Sequence, residues 1–239
     1  MISFIIPTKN EEKFLEKTLH YISKYSGAHE IIISDGGSKD ATIEIARKYT
    51  DKIAVHAGSE RQTIAGGRNA GATLASGDYL VFMDADVTIF DPGTFFAKAE
   101  SLFVKNSQLV ALTSFIRVLP EVETFFDRLF FGLLNYMHLI SNNFFHVGDA
   151  SGEFQMIRAD VFRKVGGFNE KFVAAEDQEM FRRLARVGRT LCDKKLVIYH
   201  TGRRPHTVGW PKLLSIWIAN ALSVQFFKRA ASKEWKEVR

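Results

Sequence analysis

Cysteine is almost absent. Cys192 stands alone, so no internal disulfide can form, which is compatible with a reducing compartment. Proline is scarce too, five residues in 239. No low-complexity linker or internal repeat divides the chain, which argues for one domain long enough to bury a sizeable core. The apolar start MISFIIP has no basic segment and runs straight into KNEEK, so no signal peptide is expected. No stretch reads as a membrane span. The tract LLSIWIANALSVQFF holds 15 uncharged residues and as a helix covers about 22 Å, short of the roughly 30 Å of hydrocarbon.

What is present is ordinary in bulk and uneven in detail. Hydrophobic residues make up 46% and charged residues 25%, as in soluble globular chains. Residues 182–239 hold 14 Lys and Arg against three acids, a net of +11, whereas residues 1–181 have a net of −6. Such a split suits a C-terminal part that faces phosphates or an acidic lipid surface, and equally a solvated basic tail. Fifteen of the 21 phenylalanines fall between Phe90 and Phe172. They fit a dense second core or the wall of an apolar acceptor pocket.

Three short apolar runs, 2–7, 30–34 and 79–84, are rich in β-branched or aromatic residues and nearly unbroken, the pattern of strands buried on both faces. A weaker run covers 52–57. Helical stretches lie between them: one capped by Asn10 with Leu15, Leu19 and Ile22 inward, one capped by Ser38 over roughly 39–49, and one near 61–75. This alternation predicts an α/β domain with a mainly parallel sheet flanked by helices. Ligands of such sheets bind beyond the carboxyl ends of the strands, where Asn10, Asp35, Asp84 and Asp86 all fall.

Asp84 and Asp86 follow the run YLVFM. In extended chain, residues i and i+2 point the same way, so the two carboxylates can converge. They then need a cation between them, and Mg²⁺ or Mn²⁺ is held by one or two carboxylates plus substrate phosphates; two loop aspartates capping a turn are the plainer option. Gly66, Gly67 and Gly71 interrupt a helical stretch at a cost of ~1 kcal/mol each, which points to close approach of a ligand or a neighbouring element. Arg68 there suits a phosphate or nucleotide; tight helix–sheet packing with Arg68 exposed fits equally. Residues 174–188 read as a helix with Met180, Phe181, Leu184 and Val187 inward and Gly188 as its stop. Asp177, near its N-terminus, is placed to be a general base, or with Glu176 an ordinary first-turn acid.

The ordered set IIPTKNEE, SDGGSKDAT, GGRNAGATLASGDYLVFMDAD, SGEFQMIRADVFRKVGGFNE and AAEDQEMFRRL resembles the family 2 glycosyltransferases over roughly residues 1–200. The resemblance implies a GT-A (Rossmann-like) catalytic domain over 1–205, an amphipathic helical extension over 206–239, a nucleotide-diphosphate sugar donor, a divalent cation (Mn or Mg), and inversion at the anomeric carbon. It implies that Thr8 and Glu11 line the nucleotide pocket, Asp35 binds the base, and Arg68 lies by the nucleoside. Asp84 would contact ribose or metal, with Ala85 beside it, and Asp86 would ligate the metal. Asp177 would deprotonate the acceptor hydroxyl next to Glu176. Gly152 and Glu153 would lie near donor sugar or acceptor, and His200 would complete the metal or diphosphate site. On this view Asp84 and Asp86 stay largely uncompensated until metal and diphosphate bind, with Arg203 and Arg204 as additional neutralising charges.

Two departures narrow the expectation. Lys9 stands where many relatives have tyrosine, so no ring is available there to stack on the base. The Q-x-x-R-W pattern of processive synthases is missing, since Ala159 follows Arg158. A sugar-nucleotide pyrophosphorylase would show a glycine-rich loop after the first strand, and PTKNEE has none. A nucleotide-sugar-binding protein without transferase activity is the other alternative. The expected location is cytoplasmic. Residues 208–229 either lie as a peripheral helix on the inner face of a membrane, which would suit a lipid-linked or cell-envelope acceptor, or pack on the domain or on a second subunit of a homodimer. No nucleic-acid partner is expected.

Overall fold

A computed structural model describes residues 1–58 and 60–227. The chain runs β1 (Ile2–Thr8), α1 (Leu15–Ile22), β2 (His29–Asp35), α2 (Thr42–Arg47), β3 (Ile53–Val55), α3 (Ile64–Thr73), β4 (Tyr79–Met83), α4 (Pro92–Lys105) and β5 (Leu109–Val118). It continues through α5 (Phe125–Asn143), β6 (Phe154–Arg158), α6 (Ala159–Lys164), α7 (Glu176–Leu184), β7 (Arg189–His200), α8 (Arg203–Val208) and α9 (Trp210–Phe227).

The strands form one seven-stranded sheet in the order β3-β2-β1-β4-β6-β5-β7. β6 runs antiparallel to both neighbours, and the remaining pairs are parallel. From β1 the chain winds outward to β2 and β3, then returns through α3 to β4 on the other side of β1. The reversal opens a crevice at the carboxyl ends of β1 and β4, where open α/β sheets bind ligands. Because β6 is reversed, Gly152 and Glu153, which precede it, arrive at the same rim as residues that follow β1 and β4.

Alternation along each strand divides the core between two faces. Phe4, Ile6, Val81, Met83, Phe154 and Met156 face α1, α2, α4 and the start of α9, whereas Ile5, Ile32, Phe82 and Ile157 face α3, α6 and α7. Gly71 shows why α3 needs a glycine: a Cβ there would stand 2.5 Å from Ile5 Cγ2. Gly71 is therefore needed for close packing of α3 on the sheet. Cys192 is buried, and burial first of all pushes its thiol up to about 12, leaving it inert as a nucleophile.

Several helix ends differ from expectation. Neither Asn10 nor Ser38 caps a helix; α1 and α2 begin at Leu15 and Thr42 without a side-chain cap. Asn10, at φ 53°, instead accepts from Lys39 N while its own N–H donates to Ser38 Oγ, tying the loops after β1 and β2 together. Val187 lies beyond the end of α7 and is exposed. The Phe-rich region is split. Phe95, Phe96, Phe103, Phe131 and Phe154 are buried, whereas Phe125, Phe126, Phe144 and Phe145 face outward.

The expected extension takes the packed option over its first turns. Trp210 is buried, its ring against Phe130 and Phe131 of α5. Its Nε1 donates to Asp127 Oδ1 at 2.8 Å, and Asp127 also holds His206 Nε2 and the first turn of α5. Residues 228–239 of that extension lie outside the described residues. Among the described residues no helix is long and apolar enough to cross a membrane.

A carboxylate at the edge of this framework yields a pH prediction. Glu30 accepts from Ser3 Oγ, Ser76 N and Lys52 Nζ. Burial raises its pKa, but these donors outweigh burial and hold it at about 2 against an ordinary 4.5. The stabilisation is complete above the unfolded value and is lost as pH falls from 4.5 toward 2. Glu30→Gln is expected to cost about 1–3 kcal/mol at neutral pH, and less at pH 3, read from urea unfolding at both pH values. An equal cost at both would overturn this.

Candidate active site

Strand ends decide which side chains meet. Thr8 closes β1, Asp84–Asp86 follow β4, Gly152 and Glu153 precede β6, and His200 closes β7. Together with Glu11, Arg68, Glu176 and Asp177 they line a cavity of about 830 Å³. Of the residues expected at the site, Asp35 is the exception. It is fully buried and accepts from Thr8 Oγ1, Gly37 N, Ser38 N and Ser38 Oγ. Four protein donors saturate its carboxylate, so here it holds the turn after β2 and offers no acceptor to a base.

Arg68 is neither exposed nor free to meet a phosphate. It is 1% exposed, stands over the Phe168 ring at 5.2 Å, and donates to Glu176 Oε1 at 2.8 Å and Gly152 O at 3.1 Å. Asp84 Oδ1 lies 3.5 Å away. Burial disfavours the cation, but Glu176, Asp84, Asp177 and Glu153 outweigh it and hold the guanidinium above its usual value. Gly152 must stay small: a Cβ would come within 2.5 Å of Arg68 Nη2.

The acids divide by environment. Burial pushes Asp84 up to about 7; Arg68 opposes this, and the charges of Glu153 and Asp86 add to it. Asp177 is raised well above the ordinary carboxylate value, by burial first and then by Glu176, with Arg68 opposing. Its Oδ1 accepts from Gln178 N at 2.8 Å. Ala175, at φ 60°, sits in the left-handed region just before this pair, a strained conformation for a residue with a Cβ. Ala85, between the two aspartates, has its carbonyl fixed by Thr18 Oγ1 at 2.7 Å.

Asp86 corrects a second expectation, because it is compensated already. Its Oδ2 accepts from Thr201 Oγ1 at 2.5 Å, and Arg203 Nε lies 3.2 Å away. Arg203 also forks onto Glu11 at 2.7 and 3.0 Å. A low-dielectric pocket does not leave carboxylates bare, and the guanidinium of α8 supplies the charge.

Other cavity residues escaped the sequence reading. His138 of α5 is fully buried. Its Nδ1 pairs with Asp149 Oδ2 at 2.8 Å, and its Nε2 has no hydrogen-bond partner, nor do Ser151 Oγ and Gln178 Oε1. A trace existed in the sequence: Asn135, His138 and Asn142 recur at helical spacing in a helix that is largely apolar between Leu129 and Ile140.

A profile of glycosyl transferase family 2 matches residues 3–166. The chain belongs to that family. Validoxylamine A glucosyltransferase of Streptomyces hygroscopicus subsp. limoneus is 33% identical over 93 residues, covering 36% of this chain and 20% of that relative. The mannosyltransferase PcManGT from Pyrobaculum calidifontis, solved with GDP-Man and Mn²⁺, superposes with a TM-score of 0.72 at 19% identity, over 95% of this chain and 63% of that one. Staphylococcus aureus TarS 1–349, solved with UDP-GlcNAc, gives 0.64 at 19% identity over 83% and 57%. The chain thus covers less than two thirds of each. The fold is of the GT-A type.

Family 2 membership raises the question of a metal, and the donor set can be tested. Among the described residues no three His, Cys, Asp or Glu side chains form a ready cage. Two carboxylates on one cavity still fit a hard cation that takes its other ligands from water and phosphate. His200 fits less well as a ligand. Its Nδ1 accepts from Gly202 N at 3.3 Å, and an amide can only donate, so the neutral ring carries its proton on Nε2. That atom, buried and without a partner, is a donor.

Proposed function

We propose that this chain transfers a sugar, with inversion at the anomeric carbon, from a nucleotide-diphosphate sugar to an acceptor hydroxyl, aided by Mn²⁺ or Mg²⁺. The observation that carries this reading is the meeting of Asp84 and Asp86 with the high-pKa Asp177 on one cavity at the switch point of the sheet. PcManGT, solved with GDP-Man and Mn²⁺, and TarS, solved with UDP-GlcNAc, support the donor class.

The acceptor oxygen bonds to the anomeric carbon as the bond from that carbon to the diphosphate breaks. Asp177 takes the hydroxyl proton, and its raised pKa makes it a stronger base than a surface aspartate. Glu176, fixed by Arg68, adds negative charge beside Asp177, whose Oδ1 is held by Gln178 N. A bound cation, held by Asp86 with Asp84, would supply Lewis-acid neutralisation of the leaving diphosphate. His200 Nε2–H and Arg203 are the protein donors for its oxygens. Phe130, Phe131, Leu134, Leu214 and Trp217 line another part of the cavity, which suits an acceptor with an apolar portion, such as a lipid-linked one.

The test is calorimetric titration of UDP and GDP, with and without Mn²⁺, on the wild type and on Asp86→Ala. One nucleotide is expected to bind only with the cation, and at least tenfold more weakly to the variant. Equal affinity with and without metal, or no binding of either nucleotide, would sink the reading.

A further inference from the structure

Three side chains of the cavity wall take no part in the reaction proposed above. His138 of α5, Ser151 and Gln178 of α7 each keep a buried polar atom without a hydrogen-bond partner: Nε2, Oγ and Oε1 respectively. Buried polar atoms normally find partners, and an unpaired one costs its full desolvation. Of the nine such atoms among the described residues, six belong to residues that line this one cavity. Enclosed from bulk water, they are paired only by a ligand that seats against this wall.

One loop brings the three side chains together. Asp149 Oδ2 pairs with His138 Nδ1 at 2.8 Å; His138 lines the cavity and Asp149 stands behind it. Asn142 fixes the main chain of Asp149, accepting from its N at 3.2 Å and donating to its O at 2.6 Å. Gly148, at φ 76°, packs so closely on α7 that a Cβ would stand 2.1 Å from Phe181 O. A Cβ on Gly152 would lie 3.6 Å from Asp177 Oδ2. Ser151 is therefore held between the His138–Asp149 pair and the first turn of α7, where Gln178 follows Asp177.

The chemistry of these atoms narrows the ligand. A carboxylate only accepts, so the bond to Asp149 places the proton of a neutral His138 ring on Nδ1 and leaves Nε2 as an acceptor. Gln178 Oε1 also accepts only, and Ser151 Oγ can do both. Two acceptors repel an ionised phosphate and offer nothing to a hydrocarbon. They match a neutral ligand with neighbouring O–H groups, as on a sugar ring.

We propose that His138, Ser151 and Gln178 form a subsite that binds sugar hydroxyls beside Asp177, with Asp149 as the positioning residue that fixes the His138 tautomer. The inference rests on the transferase reading for its ligand and deepens it. The hydroxyls belong either to the transferred sugar or to a sugar-bearing acceptor, two sources with the same chemistry.

Calorimetry of the whole chain with Mn²⁺ separates the sources. His138→Asn can keep the bond to Asp149 while removing Nε2, and Ser151→Ala deletes an atom that has no partner to lose. Both variants are expected to keep the wild-type Tm and to bind UDP and GDP within a factor of about two of the wild type. The sugar-bearing probes are UDP-glucose, UDP-GlcNAc and GDP-Man, and, below their micelle concentrations, octyl glucoside and octyl mannoside with and without nucleotide. If the subsite holds the transferred sugar, the nucleotide sugar that binds the wild type is expected to bind both variants about tenfold or more weakly, the loss of one or two hydrogen bonds. If it holds the acceptor, nucleotide-sugar affinity stays and the alkyl glycoside weakens by that factor instead. Asp149→Asn, whose amide can donate to Nδ1 and so turn Nε2 into a donor, should weaken the same probe and leave bare nucleotide affinity unchanged.

Unchanged affinity of the variants for every sugar-bearing probe would overturn the proposal, as would a wild type that binds none of them. So would a loss of bare nucleotide affinity and Tm in Ser151→Ala equal to the loss for the probes, which would make these side chains structural. Failure of the transferase reading shows separately, as no binding of UDP or GDP to the wild type, and the alkyl glycosides alone then decide the subsite.

Discussion

Asp177→Asn is expected to lower sugar transfer by roughly 10²- to 10⁴-fold, the usual contribution of a positioned general base, while leaving nucleotide affinity within a factor of two or so. The amide keeps the shape of the side chain and loses only the site that accepts the proton. Stability is expected to move the other way. A carboxylate whose pKa is raised in the folded state loses stability as pH rises from its unfolded value through its folded one, because the unfolded chain then binds fewer protons. Asp177 is raised by burial and by Glu176, so at neutral pH the asparagine variant should melt no lower than the wild type, and higher if the charge is present. The wild-type rate should rise with pH along an acid limb lying above the ordinary carboxylate range. A variant that loses nucleotide binding, or that melts well below the wild type, would assign Asp177 to structure.

Arg68→Met should have the largest effect on stability. The guanidinium is the buried counter-charge of Glu176 and lies 3.5 Å from Asp84. Removing one partner of a buried ion pair costs about 3–5 kcal/mol because the other charge is left uncompensated. For a chain of this size that corresponds to a Tm lower by roughly 6–20 °C, measured by scanning calorimetry. Adding Glu176→Gln should restore part of the loss, since the stranded charge is then gone. If the double variant is no more stable than Arg68→Met, the loss comes from packing against Phe168 and not from charge.

How much of this was legible in the sequence follows from what each residue depends on. β1, β2 and β4 were readable because strands buried on both faces have a nearly continuous apolar pattern. That Asp84 and Asp86 reach a ligand-binding rim was readable because α/β sheets collect such groups at the carboxyl ends of their strands; Thr8, Glu11 and Asp177 were joined to them only through the resemblance to family 2. The reversed β6 was not readable. Nothing in FQMIR distinguishes a parallel from an antiparallel strand, since both neighbours are supplied by distant chain. The pairing of Asp86 with Arg203 and the saturation of Asp35 were also hidden, because each depends on where a side chain's partners land. The phenylalanines misled for a related reason: apolar residues suggest a core, and only the docking of α5 decides which side of it faces inward.

That docking has a mechanical consequence. Asn135 both accepts from Ile116 N and donates to Ile116 O, Asn143 does the same with Cys192, and Asn142 joins His138 and Asp149. Greasy contacts let a helix slide by a fraction of an ångström at little cost; a side-chain amide matched to both ends of one residue's main chain does not. α5 is keyed to the sheet like a tooth in a rack, so a force applied to its outer face moves the cavity wall as a rigid piece, or not at all.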